Sequence, residues 1–169
     1  MGETGINTEL WGPLRLEPVY KKSVWAGERL SRIRGLTTEG IGIAREICAY
    51  HGSENIVASG KYAGEKITGL IRHFSEELMG EDKSGQLVRV AYIDAKEDLS
   101  VQVHPDDEMA RDIGDYEKSE AWYILEAGEG ARITAGVNTQ DMGVLRKAAE
   151  KGEMEPFLVH YPVKAGDVA

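Results

Sequence analysis

The chain reads Leu99-Ser-Val-Gln-Val-His-Pro-Asp-Asp-Glu108 near its middle, and this stretch decides the predicted fold. Apolar residues occupy the odd positions from 99 to 103, and polar residues occupy the even positions from 100 to 104. Strict alternation of this kind is typical of a half-buried β-strand with one apolar and one polar face. Side chains two apart on a strand are roughly 6.5–7 Å apart at their roots. The amide of Gln102 and the imidazole of His104 can therefore converge on one ion.

A second strand-like run, Glu120-Ala-Trp-Tyr-Ile-Leu125, begins with a carboxylate. Imidazole nitrogens and side-chain oxygens are donors that metal ions accept in proteins. Gln102, His104 and Glu120 on neighbouring strands would be the components of a metal site. The acidic residues at 106–108 have a different interpretation, because carboxylates are favoured at the N-terminus of a helix. We expect them to cap a helical turn over residues 106–113.

Length and composition indicate one soluble globular domain over residues 1–169. The hydrophobic fraction is 41% and the mean hydropathy is −0.37, values that are ordinary for such proteins. No run of 18 apolar residues predicts a membrane span. The N-terminus has no basic region followed by an apolar segment, so no secretory signal is expected. The single cysteine, Cys48, suits a reducing cytoplasm, which is the predicted location.

The net charge of −9 argues against a nucleic-acid partner, because such partners require a basic face that neutralises phosphates. A few local lysines or arginines could still bind a phosphorylated small molecule. No membrane partner is expected either.

Strands outnumber helices in the predicted order of elements, and the helices are inserted between strands. This order favours an antiparallel β-sandwich over a doubly wound parallel sheet. Predicted strands cover 14–20, 41–50, 55–59, 87–93, 99–104, 120–125, 131–135 and 157–161. Predicted helices cover 27–34, 66–78, 106–113 and 139–151.

Several motifs resemble those of class I mannose-6-phosphate isomerases. The most specific pair is Leu99-Ser-Val-Gln-Val-His-Pro-Asp-Asp-Glu-Met-Ala110 with Lys118-Ser-Glu-Ala-Trp-Tyr-Ile-Leu125. Pro18-Val-Tyr-Lys-Lys-Ser-Val-Trp-Ala-Gly27 is similar to the opening strand of that family. Val57-Ala-Ser-Gly-Lys-Tyr-Ala-Gly64 matches as well, so the similarity extends through most of the chain.

The resemblance implies a mainly β, cupin-type antiparallel sandwich or jelly roll with inserted helices. It also implies one Zn²⁺ ion and the interconversion of mannose 6-phosphate and fructose 6-phosphate through a cis-enediol. Carried over by position, Gln102, His104 and Glu120 would bind the zinc. Ser100 and Lys118 would contact the phosphorylated sugar, and Lys118 would also serve in catalysis by adding a positive charge.

The sequence departs from the family pattern at Ala26, at Ile43-Ala-Arg45 and at Ala91, where the family carries other residues. The printed chain also ends at Ala169, before a family strand whose histidine is the last zinc ligand. We therefore expect a fold that is incomplete at its C-terminus, with an exposed sheet edge through which the chain could associate. The alternative function is a non-catalytic, degenerate cupin fragment that binds a metal or a sugar phosphate.

Overall fold

The computed structural model describes residues 12–50, 52–82 and 87–169. The prediction that the N-terminus is not a secretory signal falls on residues 1–11, which lie outside the described residues. The residues form two compact units, Met1–Leu99 and Ser100–Ala169, and a single domain over 1–169 remains a prediction. Within the described ranges, no helix is long and apolar enough to cross a membrane.

The first unit carries most of the sheet structure. Its strands form an antiparallel three-stranded sheet of order β2-β3-β5 and an antiparallel pair, β1 with β4. The bounds are β1 (Leu16–Glu17), β2 (Val19–Lys22), α1 (Arg29–Ile33), β3 (Ile41–Ile47), β4 (Ile56–Val57), α2 (Ile67–His73), α3 (Ser75–Met79) and β5 (Val90–Ile93).

Apolar spacing predicts one helix over residues 66–78, and this prediction is wrong in one respect. The helix is broken at Phe74, whose backbone (φ −126°, ψ 47°) lies outside the helical region and separates α2 from α3. The predicted apolar stripe is nevertheless buried at Ile67, Leu70, Ile71 and Phe74. The break keeps the Phe74 ring in the cluster that also contains Val57 and Leu70.

Asn55 connects three parts of the first unit through its fully buried side chain. Its amide oxygen accepts a hydrogen bond from the Cys48 backbone N–H, and its amide nitrogen donates to the carbonyls of Glu17 and Arg45. Buried backbone groups require such partners, because an unsatisfied one costs about 1–3 kcal/mol. The side chain therefore completes the hydrogen bonding where β1 and β3 meet the segment that leads to β4.

The second unit is smaller and contains a hairpin-like pair with two capped helices. Strand β6 pairs antiparallel with β7, with Thr134 opposite His160. The bounds are α4 (Asp107–Ile113), β6 (Arg132–Val137), α5 (Met142–Lys151), a short 3₁₀ helix (Glu155–Phe157) and β7 (Leu158–Pro162).

One strand predicted in the second unit is absent, and another is present only as a short paired segment. Residues 99–104 form no ladder. Within residues 120–125, Trp122 and Ile124 exchange backbone hydrogen bonds with the segment 166–169, on either side of the antiparallel bridge between Tyr123 and Val168. A strand requires a hydrogen-bonded neighbour, and alternation along the sequence does not supply one. Val101 and Val103, which were expected on the buried face of the first segment, are accordingly exposed.

Candidate metal centre

His104 and Glu120, sixteen residues apart, meet in the second unit. The His104 Nε2 lies 2.7 Å from the Glu120 Oε2, within hydrogen-bond and ion-pair distance. The sequence analysis singled out both residues as metal ligands, and the structure brings them together. Their atoms are one imidazole nitrogen and one carboxylate oxygen, a pair of donors that zinc accepts.

The loop between the two residues explains how they meet. Asp106 caps α4 by accepting a hydrogen bond from the Met109 N–H at 2.9 Å. Gly114 ends the helix in the left-handed conformation (φ 68°), which glycine adopts readily. The Lys118 N–H then donates to the Pro105 carbonyl at 3.1 Å. This bond closes the loop directly beside His104 and Glu120.

Lys118 lies on the other oxygen of the same carboxylate. Its Nζ is 3.6 Å from the Glu120 Oε1, so Glu120 has His104 on one oxygen and an ammonium group on the other. The predicted proximity of Lys118 to the site is therefore present in the structure. Its role toward a substrate remains a prediction.

The pKa of Glu120 is lowered from its ordinary value. Partial burial acts to raise the pKa, but hydrogen bonds from His104 and Trp122 and the positive charge of Lys118 outweigh it. The carboxylate form, which is the form that binds a cation, is thus favoured. The sequence analysis did not assign Trp122 to the site. Trp122 lies two residues after Glu120, and this spacing was the sequence signal that could have indicated its contact with the carboxylate.

Gln102 and Ser100 form a separate contact. The Gln102 Nε2 donates to the Ser100 Oγ at 3.1 Å. This bond uses the nitrogen end of the amide and leaves the oxygen end, Oε1, as an acceptor suited to a cation. This contact is separate from that of His104 with Glu120, so the membership of Gln102 and Ser100 in the site remains a prediction.

The donor set fits a divalent cation. One imidazole, one carboxylate favoured in its charged form and one amide oxygen are all zinc donors. In the described part of the chain, no group of three or more His, Cys, Asp or Glu side chains could hold a metal ion. A third ligand from the described residues would therefore be a side chain of another type, and the amide oxygen of Gln102 remains the predicted candidate.

Comparison with known proteins gives consistent results in sequence and in structure. The chain is 35% identical over 159 residues to mannose-6-phosphate isomerase of Streptococcus mutans and 34% identical over 162 residues to mannose-6-phosphate isomerase ManA of Bacillus subtilis. Each match covers 92% of this chain and 50% of the relative. No protein-family model matches the chain.

The solved structure of mannose 6-phosphate isomerase from Bacillus subtilis matches the fold with a TM-score of 0.81 at 30% identity. The match covers 92% of this chain and 51% of the solved one. The fold is thus mainly β and antiparallel and matches that of a solved mannose-6-phosphate isomerase, which confirms the predicted fold class.

More narrowly, the chain is homologous to mannose-6-phosphate isomerases, which confirms the resemblance carried by its motifs. It spans about half the length of the curated relatives it matches.

Proposed function

We propose that this chain contributes the zinc-binding part of an isomerase that interconverts mannose 6-phosphate and fructose 6-phosphate. The observation that carries the proposal is the cluster of His104, Glu120 and Lys118, which lies in a chain homologous to proteins named for this activity. Zinc would be held by His104, Glu120 and the amide oxygen of Gln102.

An aldose–ketose shift moves a proton between C1 and C2 of the sugar through a cis-enediol, and negative charge develops on the oxygens of both carbons. A divalent ion held by His104, Glu120 and Gln102 would supply Lewis-acid stabilisation of that charge. The Lys118 ammonium, held near the site by Glu120, adds a fixed positive charge that requires no rearrangement during the reaction. The Ser100 hydroxyl, which accepts from Gln102, retains its own proton for donation to a substrate oxygen.

The second candidate is a binding module without turnover. The departures from the family pattern at Ile43-Ala-Arg45 favour this candidate, because a catalytic site usually needs every substrate contact in place. In that case the same three side chains would bind a metal or a sugar phosphate, and no isomerisation would follow.

The first test measures zinc and turnover on the purified chain. We expect one zinc ion per chain by atomic absorption, with isomerisation of mannose 6-phosphate followed by a coupled assay. Glu120→Ala and His104→Ala should each lower zinc affinity at least about tenfold. Zinc binding without turnover would support the binding module instead.

His160→Ala is the matched control. His160 Nε2 also lies near a carboxylate oxygen, that of Glu155 at 3.1 Å, but its other ring nitrogen is bonded to Thr134. Zinc content should therefore be unchanged in this variant. If Glu120→Ala retains the zinc content of the parent chain, the proposed ligand set is wrong.

A further inference from the structure

We propose that Lys21 and Arg45, which lie on one face of the three-stranded sheet, together bind the phosphate group of a phosphorylated sugar. The choice of ligand rests on the proposed function, whereas the site itself is argued from the first unit alone. The sequence analysis assigned neither residue to the zinc ligands or to the substrate contacts.

The register of the sheet places the two cations side by side. Arg45 on β3 lies opposite Val19 on β2 and opposite Ala91 on β5. Lys21 on β2 lies opposite Ile43, two residues before Arg45. Side chains at opposed positions of neighbouring strands share a face, and positions displaced by two residues are about 7–8 Å apart. Long side chains at such diagonal positions can contact one bound group between them.

The carboxylates nearest along these strands lie on the other face of the sheet. Ala44 points to that face and packs against Leu30 of α1. The Asp94 carboxylate accepts a hydrogen bond from the Leu30 N–H at 2.7 Å, and the Glu46 carboxylate is paired with the Arg34 guanidinium beyond the end of α1. Both carboxylates therefore have partners on the helix side of the sheet and leave the charges of the opposite face in place.

The two cations have no partner of opposite charge in the part of the chain that the structure describes. Neither the Lys21 ammonium nor the Arg45 guanidinium forms an ion pair there. The chain as a whole carries a net charge of −9 and repels a free phosphate. A phosphate site in such a chain requires cations that its own carboxylates have not neutralised, and this pair meets that requirement.

The chemistry of the two side chains suits a phosphate group. Arginine presents a planar fork of N–H donors that matches two phosphate oxygens, and lysine adds a compact positive charge. The strand neighbours Val19, Ile43 and Ala91 are apolar and compete for neither charge. Ala91 has no side-chain atom beyond Cβ, so it leaves space for a ligand beside the Arg45 side chain.

The experiment titrates the chain with three probes in EDTA at low ionic strength, with isothermal titration calorimetry as the measurement. The probes are mannose 6-phosphate, inorganic phosphate and mannose. We expect the first two to bind and to compete with each other, and mannose to show no binding. Added salt should weaken both phosphate ligands. Because EDTA removes zinc, the result does not depend on the metal ligands.

Three charge variants locate the site. Arg45→Gln and Lys21→Gln should each weaken mannose 6-phosphate and phosphate at least about tenfold, because each removes a charge-assisted hydrogen bond. Arg45→Lys keeps the charge but loses the fork of donors, so its affinity should lie between those of the parent and Arg45→Gln.

Lys22→Gln is the matched control, because it removes the same charge from the next residue of β2. Lys22 lies opposite Ile41, which is buried in the cluster beneath α1 on the other face. Its affinity for phosphate should equal that of the parent chain. Circular dichroism checks that every variant is folded, and Lys21→Gln decides the matter if Arg45→Gln is unfolded.

Four results would overturn the proposal. The zinc-free chain binds neither phosphate ligand, or the folded variants at Lys21 and Arg45 bind both with the affinity of the parent. Lys22→Gln weakens binding as much as they do, which would assign the effect to overall charge. Phosphate binds without competition from mannose 6-phosphate, which would leave a site for inorganic anions only. Binding of both ligands by a chain that shows no turnover would contradict the isomerase activity and would support this site.

Discussion

At the residue scale, Glu120 is the residue of the candidate centre that contacts both His104 and Lys118. One oxygen contacts His104 and the other faces Lys118, while the side chain is only 35% exposed. The stabilisation from such a partly exposed cluster is modest, about 1 kcal/mol or less. The cluster therefore contributes more to the charge state of the carboxylate than to the stability of the fold.

The lowered pKa of Glu120 predicts a pH dependence of stability in the zinc-free chain. A carboxyl group whose pKa is lower when folded stabilises the fold above its unfolded pKa, and this contribution is lost as the pH falls through the folded value. Urea unfolding in EDTA should therefore show the parent chain more stable than Glu120→Gln near neutral pH.

The same difference should shrink as the pH falls below the ordinary carboxyl range. Glu129→Gln, at an exposed glutamate in the turn before β6, is the matched control and should show a smaller difference at every pH. A difference between parent and Glu120→Gln that grows on acidification would contradict the assigned direction of the pKa shift.

At the element scale, helix α4 and its caps decide where His104 and Glu120 lie. Asp106 begins the helix with a side-chain bond to the Met109 N–H, and Gly114 ends it. Helix α5 is capped in the same way, because the Asp141 side chain accepts hydrogen bonds from the N–H groups of Gly143 and Val144. Caps of this type define helix boundaries because they satisfy backbone groups that have no partner within the helix.

Asp106→Ala should destabilise the chain by about 1 kcal/mol, because it removes the N-cap of α4. Asp106→Asn retains an oxygen acceptor at the same place, so its free energy of unfolding should fall much less. Urea unfolding followed by circular dichroism measures both variants. Equal stability of the alanine and asparagine variants would show that the side-chain cap contributes nothing.

At the scale of the whole molecule, the buried apolar residues are divided unequally between the two units. The clusters that contain Leu30, Ile71 and Phe74 all lie in the first unit, whereas the buried apolar residues of the second unit are Ala110 and Ala148. Burial of apolar surface is the main stabilising contribution to folding, so we expect the first unit to be the more stable of the two.

Hydrogen exchange of backbone amides measures this difference. The paired amides of β3 in the first unit should be more strongly protected than those of β6 in the second. Equal protection of the two strands would contradict this expectation.

Comparison of the predicted with the observed strands and helices shows which parts of the fold local sequence signals can predict. Strands β3, β4 and β5 lie within segments predicted as strands, and α4 and α5 lie within predicted helices, because alternation, caps and glycine stops act within a few residues. Strands β6 and β7 extend beyond their predicted ends by two residues and by one. The break at Phe74 was not predictable, since it depends on packing against Val57 and Leu70. The segment 99–104 was predicted as a strand because the sequence carries the pattern, although it forms no ladder, and the predicted strand 120–125 is paired only around Tyr123.

The sequence by itself determined the motif that relates this chain to mannose-6-phosphate isomerases and the pairing of His104 with Glu120 as candidate ligands. Residue type and spacing are properties of the chain alone, so they were available without coordinates. The tertiary structure was needed to show that Lys118 faces the second oxygen of Glu120, that Gln102 bonds to Ser100, and that β5 ends its sheet among the described residues. These features depend on how the backbone bends and on which strand finds a neighbour, and residue type and spacing fix neither.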